Sequence, residues 1–522
     1  MTRIIAWSVA VGHARPTARH HEIMTGTTDC KSRWTAASVI IAGILFAGVA
    51  LRVCLTVGFP NIYHPDEVFQ MLEPAHRLVT GWGVVTWEWR AGIRSWLLPG
   101  ILAGLVSLAG GLDAEPQSYL ILITIVLSLA SLSIVAIAAL AGRRIAGIEG
   151  LAIAGAISAG WYDLVYFGSK PLTEPIAANT LVVAVYLATI ISVDGMSVSR
   201  RRRLLMLLGC LLGLTFWIRF HLALALLFVA GWACRGKVRE RWLPLIVGTM
   251  IPLSAFGITD WLTWGTPFQS VWKNIWINIG KNVSATAYGT APFTWYLSGA
   301  AGSWALVSIA AVAWIGARKL PLFALVSVIV IASMSIFPHK ELRFVLPALA
   351  LVIVLAGVGT AIIVERLRLL LWPTGPIWLP SSMAILAWLM TSAITATRGS
   401  FPKLHGGFHV IQAETYLHQS RDICGLGLLG IHWFYTSGYT RLHRPVPITE
   451  FDTATEFVER ASSVNWLLLD SSTKTKALGD RVRIAGFTTV QCWDEICVMH
   501  REGACTPMNG WDINTQLSAR NQ

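Results

Sequence analysis

Long apolar runs separated by short polar segments fill roughly the first three quarters of the chain. An α-helix needs about 20 apolar residues to cross the hydrocarbon core of a bilayer, and most of these runs have that length. The run 204–233 is long enough for two short helices that meet at Arg219-Phe220-His221, so the pattern predicts roughly eleven transmembrane helices. The predicted spans are 36–57, 118–141, 148–167, 175–193, 204–233 (two helices), 242–262, 295–315, 320–336, 345–364 and 377–396.

Short basic clusters lie between these runs, at 143–144, 200–203, 235–241, 318–319 and 366–368. Cytoplasmic loops of membrane proteins are enriched in Lys and Arg, so these loops are predicted to be cytoplasmic, together with the N-terminal tail 1–35. Residues 58–117 then form one large extracytoplasmic loop. Its short apolar run 95–110 is predicted to lie in the outer membrane interface without crossing.

Composition agrees with an integral membrane protein. The chain of 522 residues is 54% hydrophobic and 13% charged, whereas soluble domains carry about 25% charged residues. The net charge of +13 is carried largely by the cytoplasmic clusters, so no nucleic-acid partner is predicted.

Hydropathy falls to that of a soluble domain after Arg398. The segment 453–462 has a helical pattern, while 466–469 and 490–498 are typical of strands. The sequence therefore predicts a catalytic membrane domain at 36–397 and a small extracytoplasmic α/β domain at 398–522.

Four of the eight cysteines fall in this C-terminal segment, at positions 424, 492, 497 and 505. An oxidising compartment permits disulfides, and Cys492–Cys497 is the simplest local pairing. A zinc site is the alternative, although the spacing matches no common zinc finger.

The chemistry begins just after the first span, in the motif His64-Pro65-Asp66-Glu67. Adjacent carboxylates beside a membrane are costly unless they are paired or used. An ionised carboxylate there is suited to act as a general base that removes a proton from a sugar hydroxyl. A solvated interfacial loop is the simpler alternative for Asp66 and Glu67.

Two further motifs combine charge with aromatic rings. The segment 81–95 interleaves tryptophans with Glu88, Arg90 and Arg94, a combination typical of carbohydrate or phosphate sites, although single tryptophans also serve as interfacial anchors. The segment 337–344 carries three basic side chains between two spans, in the run Pro338-His339-Lys340-Glu341-Leu342-Arg343. Lys and Arg there suit a phosphate, and snorkelling anchors are the alternative.

Taken in order, HPDEVFQ, TWEW with GIRS, and PHKELRF resemble glycosyltransferase family 22. These are the membrane mannosyltransferases of GPI-anchor and N-glycan precursor assembly, with bacterial relatives. The segments 166–174 and 215–219, Asp260 and the run 288–290 are also similar to the family. The resemblance extends over roughly 36–365 and weakens in the C-terminal segment.

The resemblance implies a GT-C architecture, an acidic base in the first external loop, and a polyprenyl- or dolichyl-phosphate sugar donor, usually of mannose. It makes Asp66 the expected base, with Glu67 beside it. The expected donor-phosphate and substrate-binding residues are Arg94, His339, Lys340, Arg343, Glu88, Arg90, Arg219, His221 and Asp260. The pair Lys170-Pro171 departs from the sequence motif that is typical of the family in this loop, and no role is assigned to it.

The predicted activity is therefore transfer of mannose, with inversion, to a lipid-linked or glycan acceptor at the extracytoplasmic face. A bacterial inner membrane is favoured over an ER membrane. No cofactor is expected, although Asp66 and Glu67 also suit a divalent ion beside a phosphate. The alternatives are a GT-C transferase with another lipid-phosphate sugar or with a protein or lipid A acceptor, and a non-catalytic lipid transporter.

Overall fold

The computed structural model describes residues 26–193, 195–235, 238–298, 306–376, 378–398, 406–473, 476–506 and 512–519. Most of the predicted tail 1–35 and part of the predicted span 295–315 lie outside these residues. The α-helices are α1 Gly26–Gly58, α2 Glu73–Thr80, α3 Trp87–Ala91, α4 Leu97–Leu108, α5 Pro116–Gly160, α6 Tyr162–Gly168, α7 Thr173–Ile191, α8 Val198–Ile218, α9 Ala223–Cys234, α10 Leu243–Trp264, α11 Gln269–Ile275, α12 Val283–Tyr288, α13 Leu306–Ala317, α14 Pro321–Ile336, α15 Leu346–Leu371, α16 Trp378–Arg398, α17 Phe408–Gln419, α18 Tyr439–Leu442, α19 Ala454–Arg460, α20 Lys476–Ile484 and α21 Ile513–Ala519. The strands are β1 Leu426–Leu429, β2 Ile448–Phe451, β3 Trp466–Asp470, β4 Thr488–Trp493 and β5 Ile496–His500.

Within the described residues, six helical segments are long and apolar enough to cross a bilayer. They are Ala36–Gly58, Pro116–Gly160, Thr173–Ile191, Arg239–Trp264, Leu342–Leu371 and Trp378–Thr397. The remaining predicted spans correspond to the arginine-containing α8 and to the shorter apolar helices α9, α13 and α14. The helices α8 and α9 are separated at Arg219, as the sequence predicted. The chain is an integral membrane protein.

The 45-residue helix α5 is two antiparallel spans joined by a tight reversal. Ala146 and Gly147 leave helical geometry there, and Gly147 takes a φ of 66°, a conformation that favours glycine. The two halves approach so closely that a Cβ on Gly142 would lie 2.0 Å from the carbonyl oxygen of Gly150. The sequence predicted separate spans on either side of this reversal, and this prediction is confirmed.

The helix α15 forms the centre of the bundle and packs against α5, α7, α13 and α14. The apolar stretch of this helix is 83% buried inside the protein, whereas the apolar stretches of α1 and α16 are 11% buried. The exposed sides of the outer helices carry large apolar residues, as a lipid-facing surface requires.

The loop between α1 and α5, residues 59–115, corresponds to the loop predicted to be external, and its regular structure consists of short helices. A π-helical segment, Glu67–Leu72, leads directly into α2, and π-helical turns are frequent at functional sites. The helix α4 has 12 residues and, at about 1.5 Å per residue, is too short to cross a bilayer.

A C-terminal unit, residues 406–519, contains a five-stranded sheet of order β2-β1-β3-β5-β4. Strand β1 lies parallel to β2 and β3, while β5 lies antiparallel to β3 and β4. The predicted α/β character and the strands at β3, β4 and β5 are confirmed. The predicted Cys492–Cys497 disulfide joins β4 to β5, and a second disulfide joins Cys424 to Cys505.

Candidate active site

The two adjacent carboxylates of the loop 59–115 occupy different environments. Glu67 is buried: its Oε1 accepts hydrogen bonds from the backbone N–H groups of Tyr63 (2.6 Å) and His64 (3.1 Å). Its Oε2 lies 3.1 Å from Nζ of Lys170, and both side chains are 5% exposed. Glu67 therefore fixes the conformation of the loop and has no free oxygen facing solvent.

Lys170, to which the sequence analysis gave no role, is the counter-ion of Glu67. Its ammonium group also donates to the carbonyl oxygen (2.7 Å) and the side-chain oxygen (2.8 Å) of Asn61. The hydroxyl of Tyr166 donates to the same Asn61 oxygen. The segment after α6 thus holds both the start of the loop and its second carboxylate.

Asp66 faces the opposite way and is about a fifth exposed (21%). Its Oδ2 lies 2.5 Å from Nη2 of Arg343, and its Oδ1 lies 3.4 Å from Nδ1 of His64. Burial alone would raise the pKa of Asp66, but the charges of Arg343 and His64 outweigh burial and hold this pKa well below its usual range. Asp66 is therefore ionised at neutral pH, and Oδ1 is the oxygen left for a substrate.

Arg343 is the centre of a buried ion-pair network. Its Nε lies 2.6 Å from Oε2 of Glu341, and its Nη1 lies 3.5 Å from Oε1 of Glu174. His339 lies 3.1 Å from Glu341, and this hydrogen bond raises the pKa of His339. Burial favours a high pKa for Glu341, but the charge of Arg343 outweighs it and lowers that pKa to about 2.

The side chains of the 337–344 motif are thus already engaged. Lys340 donates to the carbonyl oxygens of Phe337 (2.5 Å) and Ala291 (3.0 Å) and so joins the two loops that contain these residues. Arg343 is 4% exposed and surrounded by carboxylates. The donor-phosphate role of His339, Lys340 and Arg343 stays a prediction.

A cavity beside this network contains three basic side chains. Arg94, Arg219 and His221 line it, with Ser95, Ser270 and Asn274 as further polar groups. The apolar lining residues include Met71, Ile93, Leu97, Leu98, Trp217, Ile218 and Phe256. An apolar cavity with a few convergent cations is suited to a ligand that has both a charged head and an apolar portion.

The two guanidinium groups of this cavity retain hydrogen-bonding capacity. Arg219 is held by Oε1 of Glu174 (2.9 Å) and the hydroxyl of Thr173 (3.0 Å), and Arg94 lies 3.6 Å from Oε1 of Glu88. The Nε atoms of Arg94 and Arg219 are buried without a hydrogen-bond partner. Guanidinium groups that line a cavity favour an anionic ligand, because they can form charge-assisted hydrogen bonds with it.

The remaining predicted residues lie around the cavity. Glu88 accepts from Nε2 of Gln70 (3.3 Å) and partners Arg94. Arg90 donates to the carbonyl oxygen of Asn514 (2.5 Å), so it contacts the C-terminal unit.

Asp260 is fully buried, and its Oδ2 accepts from the amide (2.8 Å) and hydroxyl (2.7 Å) of Ser270, which orders the connection between α10 and α11. No group of three or more His, Cys, Asp or Glu side chains suited to a metal ion occurs within the described ranges.

A family model described as the Alg9-like mannosyltransferase family matches residues 44–441, a range that contains every residue lining the cavity. The chain belongs to the Alg9-like mannosyltransferase family. The predicted family membership is confirmed, and with it the prediction of a glycosyltransferase of the mannosyltransferase class.

Curated relatives carry names of the same class. GPI mannosyltransferase 3 of Yarrowia lipolytica is 27% identical over 426 residues, which cover 78% of this chain and 76% of that protein. Mannosyltransferase APTG1 of Arabidopsis thaliana is 45% identical over 67 residues, 12% of each chain. GPI alpha-1,2-mannosyltransferase 3 of Bos taurus is 36% identical over 73 residues, 14% of each chain.

Solved structures share the fold of this Alg9-like chain. ArnT from Cupriavidus metallidurans bound to undecaprenyl phosphate has a TM-score of 0.54 at 12% identity, covering 93% of this chain and 100% of that one. The Archaeoglobus fulgidus oligosaccharyltransferase tethered to an acceptor peptide has a TM-score of 0.51 at 11% identity, covering 90% and 75%. The predicted GT-C fold is confirmed.

Three residues of this network were not assigned from sequence: Lys170, Glu174 and Glu341. Each lies in a segment that the sequence analysis had marked, 166–174 or 337–344. The available signal was the cost of an unpaired charge near a membrane. It indicates that each charge has a partner but does not identify the partner.

Proposed function

We propose that this chain transfers a mannosyl residue from a polyprenyl- or dolichyl-phosphate donor to a hydroxyl group of a lipid-linked or glycan acceptor. The observation that carries the proposal is an ionised, partly exposed carboxylate, Asp66, in the same external loop as Arg94 of a basic and apolar cavity. The names of the curated relatives support mannose as the sugar. The undecaprenyl phosphate bound by ArnT supports a polyprenyl-phosphate carrier.

The proposed reaction inverts the configuration at the anomeric carbon. The acceptor oxygen attacks that carbon, its proton passes to Oδ1 of Asp66, and the bond between the anomeric carbon and the phosphate oxygen breaks. The low pKa makes Asp66 a weak base, so we expect proton transfer to occur late, when the forming bond has made the hydroxyl acidic.

The leaving group is the lipid phosphate, which gains negative charge as the bond breaks. We propose that the guanidinium groups of Arg94 and Arg219 stabilise that charge, with His221 as a neighbouring contact. Fixed donors of this kind lower the barrier because they need no reorganisation when charge develops. Glu67 holds the loop in this proposal and does not react.

We also propose the orientation of the protein. The site residues lie at the ends of helices opposite the clusters 143–144, 200–203 and 366–368, and basic loops are typically cytoplasmic. The site then faces the outer side of a bacterial inner membrane, or the lumen if the membrane is the ER. In this proposal, residues 36–397 carry the chemistry and 398–522 form an extracytoplasmic domain.

The test is sugar transfer in membranes that contain the wild type or Asp66→Asn, supplied with radiolabelled polyprenyl-phosphate mannose and an extract of lipid acceptors. We expect the substitution to reduce the rate by about 10²–10⁴-fold at normal protein level, the effect of losing a positioned base. Full activity in Asp66→Asn would refute the base assignment. Transfer of a different lipid-phosphate sugar, but not mannose, would refute the donor assignment.

A further inference from the structure

The first external loop and the C-terminal unit share one hydrophobic core. Val68, Phe69 and Val84 of the loop are buried in the same cluster as residues of β1, β3 and β5. The ring of Phe69 meets that of Trp433 edge-on at 4.6 Å between centroids. Val68 follows Asp66 by two positions, so the candidate base lies at the margin of a core that the C-terminal unit completes.

A buried carboxylate fixes this contact more specifically. Glu73 at the start of α2 is 0% exposed, and the proposed reaction does not use it. It accepts hydrogen bonds from the backbone N–H groups of Val84 (2.8 Å), Tyr439 (3.0 Å) and Thr440 (3.0 Å), and from the hydroxyl of Thr440 (2.7 Å). Three of these four donors belong to the C-terminal unit.

The turn that supplies these donors requires glycine at position 438 for two independent reasons. Gly438 has φ 54° and ψ −132°, a conformation that is essentially restricted to glycine. A Cβ at this position would also lie 2.9 to 3.1 Å from the carboxylate atoms of Glu73. The backbone of the turn 437–440 is therefore shaped around the Glu73 side chain.

A second contact holds the strand-like segment that follows α2. Asn514 of α21 accepts from the amide of Val85 (2.7 Å) and donates to the carbonyl oxygen of Gly83 (3.0 Å). The side-chain amide of Asn514 thus makes the pair of hydrogen bonds that the backbone of a neighbouring β-strand would make. The C-terminal unit thus contacts the loop at three places between residues 68 and 85.

We propose that the C-terminal unit is a positioning element of the active site, in which the turn 437–440 captures Glu73 and thereby holds Asp66 against Arg343. The inference rests on the proposed role of Asp66. The path is short, because Glu67–Leu72 and α2 are consecutive helical segments that connect Asp66 directly to Glu73. Release of Glu73 lets this helical arm shift and lengthens the contact between Asp66 and Arg343.

The test compares Glu73→Gln and Gly438→Ala with the wild type in the same sugar-transfer assay. Glu73→Gln places an amide N–H₂ among four hydrogen-bond donors, and Gly438→Ala pushes a methyl group into the carboxylate. We expect kcat to fall at least 10-fold with a smaller change in the KM for the donor, because only Gln70 and Met71 among the residues lining the cavity belong to the arm 67–80. The acid limb of the pH profile should move to higher pH as Asp66 loses contact with Arg343.

The matched control is Glu115→Gln. Glu115 pairs with His418 (3.0 Å) across the same boundary between loop and C-terminal unit but is 75% exposed, so its loss should leave kcat and the pH profile unchanged. Asn514→Ala is the milder variant if the Glu73 and Gly438 variants fail to accumulate. It should lower kcat in the same direction by a smaller factor.

Hydrogen exchange in the same purified proteins tests the inference without activity. Exchange over 67–80 should rise in Glu73→Gln and Gly438→Ala and should stay unchanged in Asp66→Asn. If the Glu73 and Gly438 variants both keep the wild-type kcat and the wild-type acid limb while Asp66→Asn is inactive, the positioning role is overturned. The proposed function then remains intact. If the wild type transfers no sugar, the proposed function fails, and unchanged exchange over 67–80 would then overturn the positioning role as well.

Discussion

The Glu67–Lys170 ion pair gives a direct test of whether the two carboxylates of the loop have separate roles. In the structure Glu67 has two backbone donors and one buried cation, whereas the side chain of Asp66 is about a fifth exposed (21%). The perturbation is a double-mutant cycle of Glu67→Gln, Lys170→Met and the two together. These changes keep the approximate size of each side chain and remove only charge and hydrogen bonding.

The expected loss of stability in each variant depends on which charged group is left without a partner. Lys170→Met leaves Glu67 as a buried carboxylate without a counter-ion, which costs about 3–5 kcal/mol. Glu67→Gln loses one charge-assisted hydrogen bond, about 1.5–3 kcal/mol, and Lys170 still donates to the two oxygens of Asn61. The double variant contains neither buried charge, so the single effects should overlap by about 1–3 kcal/mol.

The assay combines thermal unfolding of the purified protein with transfer activity per folded molecule. At no more than about 2 °C per kcal/mol for a chain of this length, Lys170→Met should melt up to roughly 6–10 °C below the wild type. The double variant should melt less far below the wild type than the sum of the two single effects, and activity per folded molecule should stay within about tenfold in all three. A normal melting temperature with loss of turnover in Glu67→Gln would refute this reasoning and make Glu67 a reacting group.

Three further predictions follow from the same network and from the C-terminal disulfides. Arg343→Gln should move the acid limb of kcat/KM to higher pH: the arginine holds the pKa of Asp66 down, so without it the carboxylate is protonated as the pH falls through a higher value. Arg94→Gln should raise the donor KM by about 10- to 100-fold in transfer kinetics, the loss of one hydrogen bond from a charged group. Removal of the Cys424–Cys505 disulfide, whose cysteines are 81 positions apart, should destabilise by about 4–5 kcal/mol in thermal unfolding, against about 2 kcal/mol for Cys492–Cys497 at a separation of 5.

Lys281→Gln is the common control for the two arginine variants, because Lys281 is exposed and does not line the cavity. An unshifted acid limb in Arg343→Gln would contradict the electrostatic role of that arginine. An unchanged donor KM in Arg94→Gln would place the phosphate elsewhere. A larger loss from the Cys492–Cys497 pair would show that loop length does not determine the disulfide contribution here.

The long apolar helices and the strands β3, β4 and β5 were predictable because each signal is local, whereas β1 and β2 were not predicted. A run of about 20 apolar residues specifies a span by itself, and the break at Arg219 lies where polar residues interrupt such a run. The reversal inside α5 also left a local signal, the basic pair 143–144 between two apolar runs. The close approach of Gly142 and Gly150 left no such signal, because it depends on how the two halves pack.

The partners of the charged residues were not predictable in the same way. The motif around Asp66 identified a carboxylate pair, but only the fold shows that Lys170 faces Glu67 and that Arg343 faces Asp66. These partners are separated by more than 100 positions along the chain, and a hydropathy pattern does not show which distant residues come into contact. The same limit applies to Glu73, which is an ordinary acidic residue in sequence but is buried in the structure against the turn that contains Tyr439 and Thr440.

The charge balance of the site is the reason that we propose different roles for its two sets of basic residues. Asp66, Glu174 and Glu341 surround Arg343, so an added phosphate there would be repelled by the carboxylates and would compete with three existing contacts. Around the cavity, Arg94 and Arg219 each have one carboxylate neighbour and an unused Nε donor. A phosphate bound there would leave the existing ion pairs intact, so we propose that the cavity binds the phosphate and that Arg343 keeps Asp66 ionised and in place.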